Sequence, residues 1–215
     1  VKTSKEQGDN ISSQIDEFSM DMLARLSFKS ELGLSLKKSI GHFPKQDILL
    51  EVERASDWYD EQELLSDLSL DYRVKSLQSA AYKYDRYYPN RPAAKVFDDL
   101  LGFRSLCDSY DPVLSATAVP RLRIVDMSSG KAKDDGYRGV HVYFQMDNFY
   151  YPIEIQYNTY FDRQLNNWLH KYIYKKSYPL ELGQKLRLLY EQGSIRNEEE
   201  FKEAMSSVLR SCEEC

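Results

Sequence analysis

Residues 140–156 read VHVYFQMDNFYYPIEIQ, and this stretch decides the fold. Val140, Val142 and Phe144 alternate with His141 and Tyr143, and Ile153 and Ile155 alternate with Glu154 and Gln156. A period of two describes strands with one face on a core. The Asp147-Asn148 pair between them carries turn chemistry, which predicts a hairpin and hence antiparallel neighbours. If the strands pair in register, Glu154 and Gln156 share the non-core face with His141 and Tyr143.

Outward from this hairpin the same short, β-branched and aromatic runs occur at Leu101-Gly-Phe103 and at Arg121-Leu-Arg-Ile-Val125. Helical spacing flanks them on both sides. After Pro44, the residues Ile48, Val52, Ala55, Tyr59, Leu65 and Leu68 predict one long amphipathic helix with its acids turned to water. Ser76 is placed to cap a second helix over 77–88, carrying Leu77, Ala81, Tyr84 and Tyr88. Helical spacing returns in Phe161, Leu165, Trp168, Leu169 and Tyr172, then over 179–192 and 198–210. The fold class is therefore α+β: helices, a small sheet, helices. No repeat and no linker divides the chain, which predicts a mobile tail over 1–10, an N-terminal helical region over 11–70, a core over 71–176 and C-terminal helices over 177–215.

The chain has 215 residues, 42 % hydrophobic and 29 % charged, which excludes collagen-like, wholly disordered and disulfide-scaffold classes. Its three cysteines are too few to staple a chain this long. Cys212-Glu-Glu-Cys215 lacks a second ligand pair for a metal, and the adjacent acids keep its thiols protonated. No apolar run approaches the roughly 18–20 residues that cross a bilayer, and the first residues lack a signal-peptide core, so a cytosolic protein is expected. A net charge of -5 argues against coating nucleic acid by bulk positive charge. The charge is nonetheless uneven: nine acids face one base between Asp47 and Asp71, and seven bases face three acids from Arg73 to Arg104. A local anion site in an acidic protein has this pattern, as do two solvated surfaces of opposite sign.

Four segments carry candidate chemistry. Arg73 and Lys75 share a face of an extended entry segment, and Lys75, Ser79 and Lys83 line up along the following helix; two cations and a hydroxyl on one line suit a polyphosphate, or form an ordinary surface helix. Asp98-Asp99-Leu-Leu-Gly102-Phe-Arg104 leads into a strand whose edge carboxylate suits Mg²⁺. Strict alternation puts Asp99 and Arg104 on opposite faces, so they converge only if the strand starts after Asp99 or bulges at Gly102. In Lys131-Ala-Lys133-Asp-Asp-Gly136-Tyr137-Arg138-Gly139-Val-His141, two glycines permit close backbone approach to a ligand around an aromatic able to stack on a base; the same run also describes a plain turn. Glu154 is placed to share a metal with Asp99 or to take a proton from an attacking hydroxyl. His170 and Tyr174 lie four apart beside an apolar stripe, where a lone His is ordinarily structural. There is no Walker loop, no G-x-S-x-G and no H-E-x-x-H, which removes the commonest NTPase, esterase and zinc-protease readings.

The order of these pieces is specific. R-x-K-S-x-x-S-x-x-x-K from Arg73, D-x-x-G-x-R from Asp99, G-Y-R-x-x-H from Gly136, E-I-Q from Glu154 and H-x-x-x-Y-K from His170 together resemble the synthetase domain of RelA/SpoT-type alarmone synthetases, over roughly residues 70 to 176. The resemblance implies a nucleotidyltransferase-like fold, a mixed sheet flanked by helices, that moves the β,γ-diphosphate of ATP to a ribose 3′-hydroxyl and releases AMP. It further implies that Arg73 and Arg104 sandwich the adenine, that Lys75, Ser79 and Lys83 hold phosphates, and that Asp99 and Glu154 bind Mg²⁺, with Glu154 helping to deprotonate the acceptor. Tyr137 would stack on the acceptor base, with Lys133, His141 and Gln156 nearby.

The departures fall on the acceptor side. Such enzymes that make (p)ppGpp usually read E-I-Q-I-R-T, whereas this chain has Tyr157-Asn158-Thr159 after Gln156, and Arg163 stands where an Asn often reads guanine. That pattern is similar to the toxic small alarmone synthetases, some of which transfer pyrophosphate to the 3′-terminal adenosine of tRNA. It implies a tRNA acceptor, with Lys37, Lys38, Arg121 and Arg123 on acceptor-stem phosphates, and a neutralising antitoxin protein. The alternative is a (p)ppGpp or (p)ppApp synthetase acting on GDP, GTP or adenine nucleotides.

Overall fold

The computed structural model describes residues 18–67, 71–116, 119–174, 176 and 178–213. The tail over 1–10, Lys175 of the last motif, Leu68 and Cys215 lie outside the described residues. Helices are α1 (Met20–Arg25), α2 (Lys45–Asp60), α3 (Glu63–Asp67), α4 (Leu77–Tyr87), α5 (Ala93–Val96), α6 (Asp111–Ser115), α7 (Tyr160–Tyr172), α8 (Leu180–Glu191) and α9 (Glu198–Glu213). Strands are β1 (Asp71–Val74), β2 (Leu101–Leu106), β3 (Leu122–Asp126), β4 (Val140–Phe144) and β5 (Ile153–Asn158), in the sheet order β1-β2-β5-β4-β3. The expected α+β class is therefore what the chain adopts. β4 and β5 are neighbours joined by eight residues, too short for a parallel crossover, so the hairpin is antiparallel.

Two compact units divide the chain, one comprising residues up to Ser105, Asp111–Ile124 and His141–Gln156, the other Leu106–Tyr110, Val125–Val140 and the residues from Tyr157 onward. The boundary falls within β2, β3, β4 and β5. The sequence reading treats the chain as undivided because no Gly, Pro or Ser linker marks such a boundary.

In the first unit, α2 buries Ile48, Val52, Ala55 and Tyr59 as the spacing requires. The helix stops at Asp60 and a separate α3 follows, where the sequence reading expects one continuous helix. Asp57, Asp60 and Glu61 put like charge on the negative end of the dipole with no base in the last turn, and Gln62 closes the end by donating Nε2 to the Trp58 carbonyl at 2.9 Å. Glu51, buried on α2, accepts from Ser30 Oγ at 2.9 Å, from the Glu31 amide at 2.5 Å and from Tyr151 OH, which ties the segment before α2 to the chain entering β5.

In the second unit, Thr159 caps α7 by accepting from the Asp162 amide at 3.1 Å. Leu165, Trp168 and Leu169 of α7 pack with Leu182, Leu186 and Tyr190 of α8 and Phe201 of α9 in one apolar cluster. His170 and Tyr174 are exposed, and Tyr174 OH donates to the Asp135 carbonyl at 3.3 Å. Among the described residues, no helix is long and apolar enough to cross a membrane.

Candidate active site

One face of the sheet in the first unit gathers most of the singled-out residues. β1 pairs antiparallel with β2, Arg73 standing opposite Gly102 and Asp71 opposite Arg104. Arg73 and Arg104 are thus diagonal neighbours on one face, roughly 7–8 Å apart at the backbone. That spacing fits a flat ring held between two guanidiniums, each at a contact distance of about 3.5 Å. Gly102 keeps the intervening surface low: a Cβ there would lie 3.7 Å from Glu154 Oε2. β2 begins at Leu101, after Asp99, which meets the condition for Asp99 and Arg104 to converge.

The next layer is charged. Ser76 caps α4, accepting from the Ser79 amide at 3.3 Å, and so aims the helix from the end of β1. Lys75 and Lys83 both reach Asp99, at 2.5 Å to Oδ2 and 2.9 Å to Oδ1, and Arg73 stands 3.9 Å from it. Lys75 is buried, where the sequence suggests a surface cation; burial pulls its ammonium pKa down, and Asp99 opposes that. Lys83 goes the other way: burial lowers it, but Asp99, Asp98 and Glu154 together raise it. Asp98, given no role by the motifs, is the under-compensated member. Burial and the like charges of Asp99 and Glu154 push its carboxyl up to about 6, against Lys83 and Arg123.

Glu154 accepts from Tyr143 OH at 2.8 Å and Gln156 Nε2 at 2.7 Å, and its Oε1 lies 3.0 Å from His141 Nδ1. Burial would raise this carboxyl, yet the His141 contact, with Gln156 and Tyr143, holds it down at about 2. The common face expected for His141, Tyr143, Glu154 and Gln156 is the one observed. Tyr143 enters the site as a partner that the sequence reading placed on the face without a role; its alternation with Val142 and Phe144 was the available signal.

A groove of about 450 Å³ runs along α4, lined by Lys75, Gln78, Ser79, Tyr82, Lys83, Arg86 and Tyr87. It holds the three residues assigned to phosphates and adds Gln78, an unspecified position inside the first motif, and Arg86, three residues beyond its end, neither of which the sequence reading gave a role. A second cavity of about 300 Å³ carries Lys37, Lys95, Arg121 and Arg123 beside Tyr143 and Gln145. Arg123 is already committed there, 3.1 Å from Asp98 and stacked 3.8 Å over the Tyr143 ring. Lys38 is exposed and does not line this cavity.

Among the described residues, no group of three or more His, Cys, Asp or Glu side chains is arranged to hold a metal ion. The donor chemistry nevertheless fits Mg²⁺, which commonly takes one or two carboxylates and completes its shell with water and substrate phosphates. Asp99 and Glu154 offer oxygen only, and both act on the Lys83 ammonium, so they share one electrostatic neighbourhood.

Tyr137 and Lys133 belong to the second unit. Lys133 is exposed, and Tyr137 is half-buried with Lys131 Nζ 4.8 Å from its ring centroid. Asn158, at the position where the family pattern has Arg, is buried and donates to the Arg138 carbonyl at 2.9 Å, so it serves the backbone of this loop.

No family model and no curated protein matches the chain. Among solved structures, small alarmone synthetase 1 from Bacillus subtilis bound to its product pppGpp is similar at 21 % identity and a TM-score of 0.41, covering 75 % of this chain and 88 % of its own. Small alarmone synthetase 2 from Bacillus subtilis gives 22 % identity and 0.43, covering 79 % of this chain and 98 % of its own. A GTP pyrophosphokinase family protein from Streptococcus pneumoniae gives 18 % and 0.39, covering 80 % and 93 %. Likeness of this degree assigns no activity, which must be argued from the residues.

Proposed function

We propose that the protein is an ATP pyrophosphotransferase that moves the β,γ-diphosphate of ATP to the ribose 3′-hydroxyl of a nucleotide. One observation carries the reading: a single sheet face presents a diagonal arginine pair beside a groove of buried and half-buried cations that end on Asp99. Adenine would lie between Arg73 and Arg104, with the phosphates along Lys75, Ser79, Lys83 and Arg86. The acceptor 3′-hydroxyl attacks the β-phosphorus and gives up its proton to solvent, the bond from that phosphorus to the oxygen shared with the α-phosphate breaks, and AMP leaves with that oxygen. Such a transfer asks for alignment and charge neutralisation more than for covalent chemistry.

Asp99 and Glu154 would hold Mg²⁺, which when bound neutralises phosphate charge and orients the transferred group. Held at about 2, the Glu154 carboxylate is a permanent anion and a weak base at neutral pH, which suits cation binding better than proton abstraction from an ordinary hydroxyl. Lys75 and Lys83 neutralise Asp99 in the free protein and would turn toward phosphate oxygens when ATP and a cation arrive.

For the acceptor we propose a free purine nucleotide first, its base on Tyr137. Small alarmone synthetase 1 is described bound to pppGpp and, separately, to AMPCPP. The 3′-terminal adenosine of tRNA, the toxin reading with its neutralising partner, is the second acceptor, and the basic cavity of Lys37, Lys95 and Arg121 favours it. γ-Labelled ATP offered with GDP, GTP, unlabelled ATP or deacylated tRNA separates the two. Label in a mononucleotide supports the first, label in tRNA the second, and label in neither removes the activity.

A further inference from the structure

Gly136, Tyr137 and Arg138 lie in no helix or strand, so no ladder satisfies their backbone. Side chains do so instead, at every group. The Gly136 amide donates to Asp134 Oδ1 at 2.9 Å and the Tyr137 amide to Asp135 Oδ1 at 3.2 Å. The Tyr137 carbonyl accepts from Arg138 Nη1 at 2.9 Å. The Arg138 amide donates to Asn166 Oδ1 at 3.3 Å, and its carbonyl accepts from Asn158 and Asn166 at 2.9 and 2.7 Å. The Gly136 carbonyl accepts from Arg187 Nε at 2.8 Å.

Arg187 is the member of this cage most distant in sequence and the most buried, with no exposed surface at all. Each of its three nitrogens donates once: besides the Nε bond, Nη1 donates to Asp162 Oδ1 at 2.7 Å and Nη2 to Asn166 Oδ1 at 3.2 Å, so it fixes the loop directly and through Asn166. Asp162 balances the charge and is itself anchored by Tyr110 OH at 2.7 Å and Thr159 Oγ1 at 2.9 Å. One helical turn earlier, Gly183 lets α8 meet the loop backbone, since a Cβ there would stand 2.0 Å from the Asp135 carbonyl oxygen. A buried ion pair replaced as a whole by well-packed apolar side chains often costs no stability, so the presence of Arg187 with Asp162 asks for a reason beyond stability.

We infer that Arg187 is a positioning residue: from α8 it presets the backbone on both sides of Tyr137, so that the ring meets the acceptor base without an ordering cost. The inference rests on the reading of Tyr137 as the acceptor platform. Preset loops bind tighter because the entropy of ordering is already spent in folding. Arg187 touches no substrate atom in this account, and it governs acceptor affinity while leaving ATP affinity alone.

The test has two arms. In the first, amide hydrogen exchange of the full-length protein compares wild type with Arg187→Lys, which keeps the charge and loses the planar fork. Exchange at residues 136–138 should quicken at least about tenfold while the strands hold theirs; unchanged exchange overturns the positioning claim. In the second, steady-state kinetics use whichever of GDP or deacylated tRNA accepts label. Arg187→Lys should raise the acceptor KM about tenfold with the ATP KM within about twofold, and it should add nothing in a Tyr137→Ala background. Parallel rises of both KM values, or multiplying effects in the double variant, overturn the inference. Asn158→Ala, which removes one of two donors to the Arg138 carbonyl, should move the acceptor KM about threefold in the same direction and serves if Arg187→Lys does not fold. A flat acceptor KM in Tyr137→Ala alone sinks the platform reading, whereas unchanged loop exchange sinks only the positioning.

Discussion

The charged face of the first unit and the Tyr137 loop of the second solve opposite problems. Around Asp99, the cations end on a carboxylate: Lys75 and Lys83 each pair with it, and Arg73 stands near. Around Tyr137, side chains end on backbone: Gly136, Tyr137 and Arg138 have all six amide and carbonyl groups engaged. Charges paired with one another can exchange partners when a polyphosphate and a cation arrive, because each new ion pair replaces an old one. A backbone cage has nothing to exchange and can only stay or break. On the proposed function, the first region would be rearranged by its ligand and the second would remain as folded.

The sharpest way to break this contrast is Asp99→Asn. It should lower transfer about 10²- to 10³-fold, as expected for losing a carboxylate that would hold the cation that neutralises phosphate charge in the transition state. It should also cost about 3 kcal/mol of stability, since Lys75 is left buried without its partner. Adding Lys75→Met should recover most of that stability and none of the transfer, read by urea unfolding and label incorporation. Recovery of activity would mean that the pair is structural.

Gly183→Ala probes the other region. Its Cβ would stand 2.0 Å from the Asp135 carbonyl oxygen, so backbone must move and about 2–3 kcal/mol should be lost in denaturant titration. A neutral substitution would show the α8 seat to be loose.

Cys107 sharpens the picture of the second unit at high pH. Burial, followed by the charges of Asp108 and Asp162, pushes its thiol up to about 11 from an ordinary 9.0. An acid whose pKa is raised by folding stabilises the fold below its unfolded value and loses that contribution as pH rises through the folded one. Stability should therefore fall by about 2 kcal/mol between pH 9 and 11, and Cys107→Ala should flatten that segment of the profile. An unchanged slope would place the thiol in contact with water.

Arg73→Lys should be the mildest for the fold and still visible in binding. With 57 % of the side chain exposed and Asp99 3.9 Å away, stability should change by less than about 0.5 kcal/mol. ATP affinity should fall about tenfold, because an ammonium does not stack on a purine as a guanidinium does. Equal affinity in a calorimetric titration would remove Arg73 from the adenine site.

How far the sequence carried the reading depends on period and reach. The face of β4 and β5 was legible because alternation fixes sides: Glu154, Gln156, His141 and Tyr143 followed from Val140, Val142, Ile153 and Ile155. Asp99 was legible only conditionally, since its side depends on where β2 begins. The burial of Lys75 was not legible, because a cation after a short strand looks the same whether or not a carboxylate arrives from a turn 24 residues away. Arg123 resembled a phosphate contact, yet Asp98 and the Tyr143 ring hold it. Arg187 left one trace, a charge within the Leu182, Leu186 and Tyr190 stripe with Gly183 four residues before it. Only the fold says that the loop 51 residues upstream is its partner.

The central claim is that the face of β1 and β2 aligns ATP for attack at its β-phosphorus, and the nucleotide left behind reports this directly. Wild-type protein incubated with ATP, Mg²⁺ and the accepting nucleotide or tRNA should release AMP in a one-to-one ratio with labelled acceptor, resolved by anion-exchange chromatography. Release of ADP with a singly phosphorylated acceptor, or with free phosphate, would contradict it.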